Sequence, residues 1–393
     1  MCIYFWIFAQ KLFNEMKITN ITTFEVIVPA KPGMVSSESI NKPLHMLPVG
    51  AKTGWSVQFD QLSKIILKLE LDNGVVGWGE LYRSHNWGQV KEIIEVLLGA
   101  DIENFTLQQL PFTFCREYDG FECALWDAYA KAHNLRVVDL LGGPVRDKVR
   151  VGAWSSHREA EDVGELVTDF ANKGFDCVKF KSDLEDDVVA WCRTIHDAAP
   201  GMEVIIDPNQ RWENSYQVRK RLDGLQEVGN VLCLEDPIPR WQLSEYALLR
   251  QYSSVPMVRH ISLPYVLQGQ RIKDAIQAIQ LSAIDGFNFN GGLANFQRLD
   301  HIAAAAELPC WHGSEVDLGI LEAMYVHSSA AAASCVWPGD IFGSLIREHD
   351  LLKEPLKIEP PFVLLPVGPG LGVEPDIEAI EHYMIDKKEF YFK

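Results

Sequence analysis

The chain has 393 residues, and 36 basic against 54 acidic side chains leave a net charge of −18 at pH 7. Hydrophobic residues make up 47% and charged residues 23%, the composition of a folded globular chain and not of a disordered one. No lysine- or arginine-rich run is present, so neither nucleic acid nor an anionic membrane surface is an expected partner. At about 150 residues per domain, the length allows two domains, or one barrel with a smaller domain attached.

Eight cysteines (Cys2, Cys115, Cys123, Cys177, Cys192, Cys233, Cys310 and Cys335) are scattered, with no C-x-x-C pair to suggest zinc or redox work. They read as reduced, mostly buried thiols of a cytoplasmic protein. Met1 to Ala9 is strongly apolar, but about ten such residues are too few to span a bilayer, and no basic region precedes them as in a secretory signal. Residues 1–15 are read as an upstream extension or non-native start, with a membrane-associating segment or an interface helix as alternatives.

From Ile18 to Val28 the apolar residues fall in strand order, and the Pro/Gly/Ser-rich stretch Pro29 to Pro48 predicts a long loop of the kind that binds or covers ligands. Ser63 to Glu70, Asp72-Asn73-Gly74 and Val75 to Glu80 predict a hairpin with an Asn-Gly turn. Helical patterns follow at 88–98 and 120–135, the second leading to a Gly-then-Pro stop at Leu141-Gly142-Gly143-Pro144. Residues 16–145 are therefore read as a small α+β domain.

From Val149 short apolar runs alternate with amphipathic helices. The runs are Val149–Trp154, Cys177–Lys181, Val204–Asp207, Val231–Glu235, Met257–Ile261, Ala283–Phe289, Leu308–Trp311 and, less regular, Ser334–Trp337. Helical patterns at 160–173, 184–198, 214–227, 266–279, 293–306 and 317–333 separate them. Such alternation implies parallel strands joined by right-handed crossovers, and seven or eight units in residues 146–360 suit a closed (β/α) barrel. The turn-rich segment 361–393 is expected to return to the first domain.

Catalytic groups of a parallel barrel sit at the C-terminal ends of its strands. The second run ends Val178-Lys179-Phe180-Lys181, with two lysines on one face of a strand. Their mutual repulsion is expected to lower a lysine pKa toward the range of a base; a solvated strand end is the bland alternative. The third and fourth runs end in Asp207 and Glu235. Carboxylates closing successive strands make an oxygen site for a hard cation such as Mg²⁺, although one of them alone could be a helix N-cap.

These residues, with Leu71-Asp72-Asn73-Gly74-Val75-Val76-Gly77-Trp78-Gly79-Glu80, Ala124-Leu125-Trp126-Asp127, Leu140-Leu141-Gly142-Gly143, the Asp-x-Asn-Gln-Arg-Trp run at 207–212 and Glu-Asp-Pro at 235–237, resemble the enolase superfamily in its mandelate racemase and muconate lactonizing enzyme group. The resemblance runs from about Met16 to Asp376. It implies a modified (β/α)7–8 TIM-type barrel with an N-terminal α+β capping domain, in a homo-oligomer. It also implies Mg²⁺ holding a small-molecule carboxylate while a base removes the α-proton, and so a lyase or an isomerase. Lys179, Lys181 and His312 become the expected catalytic residues, with Lys181 as base and His312, at the end of the seventh strand, as the facing acid. Asn209, Asn288, Asn290 and Glu315 become the expected substrate-binding residues. Dehydration of a hydroxy or sugar acid is the leading expectation. Racemisation or epimerisation is the alternative, and a metal-poor binding protein on the same fold is the third reading.

Two departures bear on this. The resemblance implies a third metal acid at the end of the fifth strand, which the 28-residue interval from Asp207 to Glu235 puts near 260–263, and Val258-Arg259-His260-Ile261-Ser262-Leu263 contains none. His260 is a candidate nitrogen ligand, although a one-residue offset on a strand points the side chain to the opposite face unless a bulge re-aims it; a packed or hydrogen-bonding histidine and a catalytic role are the alternatives, and Mg²⁺ is expected to bind weakly or not at all. On the sixth strand Asp285-Gly286-Phe287-Asn288-Phe289-Asn290 offers no lysine, the aspartate partner that the resemblance implies for His312 is not evident, and Asp285, early in that strand, is a poor substitute.

Overall fold

The structure, a computed structural model, describes residues 15–37, 39–40, 62–261 and 270–393. The expectations for residues 1–14, for the loop beyond Ile40 and for Ser262 and Leu263 fall outside the described residues. Among the described residues no helix is long and apolar enough to cross a membrane. Seven cysteines are described, all with free thiols, and only Cys115 among them is not buried.

The N-terminal part is a four-stranded antiparallel sheet in the order β14-β1-β2-β3: β1 (Ile18–Val26), β2 (Lys64–Leu71), β3 (Val76–Leu81) and the C-terminal β14 (Met384–Tyr391). The Asn-Gly turn between β2 and β3 forms as its sequence dictates. Asn73 Oδ1 accepts from the Val75 N–H at 3.0 Å, and Gly74 takes φ = 84°, a left-handed conformation that favours glycine. Helices α1 (Trp87–Leu97) and α2 (Tyr118–Ala132) follow. Gly77 and Gly79 on β3 allow α2 to lie directly on the sheet, because a Cβ at either would overlap the Ala124 or Gly120 carbonyl.

After β4 (Lys148–Arg150), which pairs with β13 (Phe362–Leu364) and not with the barrel, seven parallel strands form one sheet. These are β5 (Ala153–Ser155), β6 (Cys177–Lys181), β7 (Glu203–Asp207), β8 (Val231–Glu235), β9 (Met257–Ile261), β10 (Gly286–Phe289) and β11 (Cys310–His312). Helices α3 (Ala160–Asn172), α4 (Val188–Ala198), α5 (Ser215–Val228), α6 (Leu243–Tyr252), α7 (Gln270–Gln280), α8 (Leu293–Ala305) and α9 (Gly319–Ala331) follow the successive strands. This is a modified TIM-type barrel with an N-terminal α+β domain. The first apolar run splits between β4 and β5, and the eighth, Ser334–Trp337, does not form a strand. Single parallel bridges, Cys310–Cys335 and Val151–Gly339, link this segment to the two sides of the open sheet.

Alternation along each strand fixes which side chains point inward. Cys177, Ile205, Cys233, Val258 and Trp311 pack together inside the barrel. Two residues further along the same faces come Lys179, Asp207, Glu235 and His260.

Several motif residues fasten the cap to the barrel. Glu80 accepts from the backbone N–H groups of Leu318 (2.8 Å) and Leu321 (3.2 Å), and Glu122 from those of Leu293 (2.8 Å) and Ala294 (3.3 Å). Each thus satisfies orphan donors at the start of a barrel helix, α9 or α8. Asp127 accepts from Trp78 N and Leu371 N, both at 2.8 Å, tying the hairpin and the C-terminal turn to α2.

Candidate active site

The inner C-terminal ends of β6, β7 and β8 bring Lys179, Lys181, Asp207 and Glu235 together, as their spacing predicts. Lys179 Nζ lies 2.7 Å from Glu235 Oε2, 3.4 Å from Asp207 Oδ2 and 2.8 Å from Asp340 Oδ2. Lys181 pairs with Asp207 Oδ2, whose other oxygen accepts from the Asn209 N–H at 3.0 Å. Asn209 itself sits at φ = 46°, half-buried beside the cluster.

Asp340 is the residue that sequence reasoning missed. It follows the bridging segment, with its backbone N–H donating to the His312 carbonyl at 2.9 Å. The signal was present: Trp337-Pro338-Gly339-Asp340 follows the eighth apolar run, as Asp207 and Glu235 close the third and fourth. The irregular backbone hid the strand-end rule there.

Electrostatics around Lys179 differ from the expectation. Burial alone would lower its pKa, but Asp340, Glu235 and Asp207 outweigh burial and hold it well above the usual lysine value. Repulsion between the lysines does not decide its charge, and Lys179 is a fixed cation. Burial pushes Glu235 up, but Lys179 and His260 prevail and hold it well below the usual carboxylate range. Asp340 is raised by burial, a shift that Lys179 only partly opposes.

His260 lies on the inner face, so the offset that would have turned it outward does not occur. Its Nδ1 is 3.2 Å from Glu235 Oε1 and its Nε2 contacts Asn290 Oδ1. Asn288 Nδ2 donates to Glu235 Oε1 at 2.9 Å. Both asparagines are fully buried, and among the described residues Asn288 Oδ1 and Asn290 Nδ2 have no hydrogen-bond partner. A Cβ at Gly313, the next inward position after Trp311, would overlap both amides.

The expectation for His312 is overturned. Trp311 takes the inward place on β11, with its ring 5.7 Å from Lys179 Nζ, so the next residue must face the helices. The His312 ring stacks between Tyr325 (3.8 Å) and Phe296 (4.5 Å), and its nitrogens lie 2.7 Å from Gly313 O and 3.0 Å from Gly291 O. Burial lowers its pKa to about 4, against the pull of those carbonyls. It is a core histidine and cannot face the lysines. Asp285 is not its partner either; it pairs with Arg250 Nε at 2.8 Å and accepts from the Met257 N–H.

Glu315 meets the capping domain, with Arg83 Nε at 3.0 Å and Arg116 Nη2 at 3.8 Å. Burial would raise its pKa, but the two guanidinium groups hold it below the usual value. A separate group, His157, Asp183 and Asp186, gathers possible ligand atoms within 4.8 Å of one another, with Arg211 against Asp183.

The donor set near Lys179 does not fit Mg²⁺. A divalent cation of this kind takes oxygen ligands in near-octahedral order, and both candidate carboxylates are engaged by nitrogen groups. Glu235 is met by Lys179, His260 and Asn288, and Asp207 by both lysines and the Asn209 N–H. The fifth strand supplies an imidazole where an oxygen would be needed.

A curled parallel barrel with two inward lysines and strand-end carboxylates under an α+β cap is thus the frame of the site. Residues 162–380 match the "Enolase C-terminal domain-like" family model and residues 40–142 that of the "Mandelate racemase / muconate lactonizing enzyme, N-terminal domain". The chain belongs to the enolase superfamily, in the mandelate racemase/muconate lactonizing enzyme group. Muconate cycloisomerase 1 of Rhodococcus opacus is 29% identical, over 94% of this chain and 98% of the relative. An o-succinylbenzoate synthase of Bacillus subtilis is 24% identical over 84% of this chain and 91% of its own length. The crystal structure of N-succinyl Arg/Lys racemase from Bacillus cereus superposes with a TM-score of 0.78 at 21% identity, covering 95% of this chain and all of that one. Members of the superfamily use Mg²⁺, and these relatives are isomerases, cycloisomerases, racemases or synthases. The chain is accordingly an enzyme of the lyase or isomerase type.

Proposed function

We propose that this enzyme removes the α-proton of a small carboxylate and returns a proton to the same carbon, acting as a racemase or epimerase. The observation that carries the reading is the placement of Lys181 and His260 on opposite sides of the Asp207–Glu235 pair. Lys181 stands against Asp207 on the β6 side, and His260 against Glu235 on the β9 side.

A carboxylate's α-hydrogen is very weakly acidic, so the enediolate must be stabilised as it forms. In this reading the C–H bond breaks, the proton goes to the side-chain amine of Lys181, and the electron pair moves onto the carboxylate oxygens. The fixed ammonium of Lys179 bears that charge. His260 then gives a proton to the opposite face. The orphaned Asn288 Oδ1 and Asn290 Nδ2 are placed to bond the substrate. The names of the relatives point the same way: muconate, succinylbenzoate and N-succinyl amino acids are all carboxylates.

Hydroxy-acid dehydration needs an acid to expel the β-hydroxyl, and His312 cannot supply it from the outer face of β11. A panel of chiral hydroxy acids and N-acylated amino acids in D₂O tests the reading, with α-deuterium and enantiomer ratio as readouts. Racemised, α-deuterated product is expected. Keto acid without racemisation would overturn the reading in favour of dehydration.

A further inference from the structure

The clearest disagreement between this chain and its family lies where the metal would be held. We infer that the ammonium of Lys179 takes the place of the divalent cation, so that this site works without a metal; the inference rests on the reading of the site as a proton-abstracting one.

Four observations carry it. The third acid of the site is not on β9, where His260 stands, but comes from Asp340 beyond the bridging segment. Asp340 meets Lys179 at 2.8 Å, alongside Glu235 at 2.7 Å and Asp207 at 3.4 Å. The ammonium is therefore ringed by three carboxylates, one from each of three separate segments. The ammonium of Lys179 opposes one of the three acid charges, leaving two negative charges where an unfilled three-acid site would leave three. Glu235, which would be a metal ligand, instead receives Lys179, His260 and the Asn288 amide. A metal ion entering here would have to displace Lys179 from all three acids and then bind beside its positive charge.

Lys179 stands 5.7 Å from the Trp311 ring, which supports the cation from the barrel side. Its position is thus fixed from below and on three sides, the arrangement expected of a built-in electrostatic group and not of a mobile base. The place of Asp340 explains how the loss of a β9 acid is tolerated: the carboxylate count is kept and its source has moved.

The test uses purified full-length protein freed of metal with a chelator. Mg²⁺ is titrated by calorimetry and by thermal shift, first into the parent and then into Lys179→Met. The parent is expected to show no saturable binding at or below roughly 1 mM, and Lys179→Met to gain a Mg²⁺-dependent rise in melting temperature. Saturable parent binding that Asp207→Ala abolishes would overturn the inference, and so would a folded Lys179→Met that gains nothing. If Lys179→Met does not fold, the parent titration alone decides.

Once a substrate is found in the panel above, α-deuterium exchange by the parent should be unchanged by chelator or by added Mg²⁺. Exchange lost on chelation and restored by Mg²⁺ would overturn the inference while leaving proton abstraction intact. Absence of exchange under every condition would refute the proton-abstraction reading instead, and the titrations would still decide the metal question.

Discussion

Replacing His312 by alanine separates a core role from a catalytic one. The ring is fully buried and stacked on Tyr325 at 3.8 Å and Phe296 at 4.5 Å. Truncating a buried aromatic ring costs about 3–5 kcal/mol. The neutral imidazole carries one N–H, so one hydrogen bond to a glycine carbonyl is lost as well, worth about 1 kcal/mol. For a chain of 393 residues, unfolding entropy of about 0.8 kcal/mol/K converts this to a fall of roughly 5–7 °C in melting temperature. His312→Phe keeps the stack and should lose only about 1–2 °C. Scanning calorimetry gives the melting temperatures, and α-deuterium exchange at a temperature where both variants are folded gives the activity. Both variants should exchange at close to the parent rate. Unchanged melting together with abolished exchange in His312→Ala would refute the placement, because only a ring reaching the substrate behaves in that way.

Asp340→Asn should leave Lys179 with Glu235 and Asp207 and cost about 2–3 kcal/mol in denaturant melts, at the low end for a broken buried pair because the ammonium keeps two partners; a cost near zero would show that Asp340 does not pair with it. Burial, aided by Asp119, raises the Glu122 carboxyl to about 8. The folded state therefore holds a proton that the unfolded chain releases near pH 4.5, and stability is fully present below that pH and lost as pH rises through about 8. Glu122→Gln, which keeps an oxygen for the Leu293 N–H, should flatten this slope by on the order of 5 kcal/mol; an unchanged melting profile between pH 5 and 9 would contradict it. Gly313→Ala should push apart the Asn288 and Asn290 amides and reduce exchange at least about tenfold, by roughly 1.4 kcal/mol of barrier, and unimpaired exchange would show that those amides do not face the substrate.

The lysines and carboxylates of β6, β7 and β8 were legible because a regular strand makes facing a matter of counting by two, and the runs Cys177–Lys181 and Val231–Glu235 are strands with those same bounds. His312 was misplaced for want of that count: Cys310-Trp311-His312 puts either Trp311 or His312 inward, and alternation cannot choose until the packing of Trp311 with Cys177 and Val258 is known. His260 failed in the other direction, since its inward face follows from Val258, two residues before it, packing inside the barrel, which the run Met257–Ile261 alone does not show. Asp340 was hidden by an irregular segment with no period to read. The lysine charge went wrong because sequence shows Lys179 beside Lys181 but not the three acids that converge on it from distant segments. Gly77, Gly79, Glu80, Glu122 and Asp127 show a further limit: they lie in or beside the motifs that made the family recognisable, yet they fasten the cap to the barrel.

In the proposed reaction Lys181 moves the α-proton while Lys179 carries charge. The most direct measurement is the rate of α-deuterium uptake into the accepted carboxylate by the parent, Lys181→Ala and His260→Asn, followed for each enantiomer separately. The account predicts that Lys181→Ala loses exchange by about 10²–10⁴-fold for the enantiomer whose hydrogen faces β6, and that His260→Asn does so for the other. Exchange that persists in Lys181→Ala for both enantiomers would contradict it.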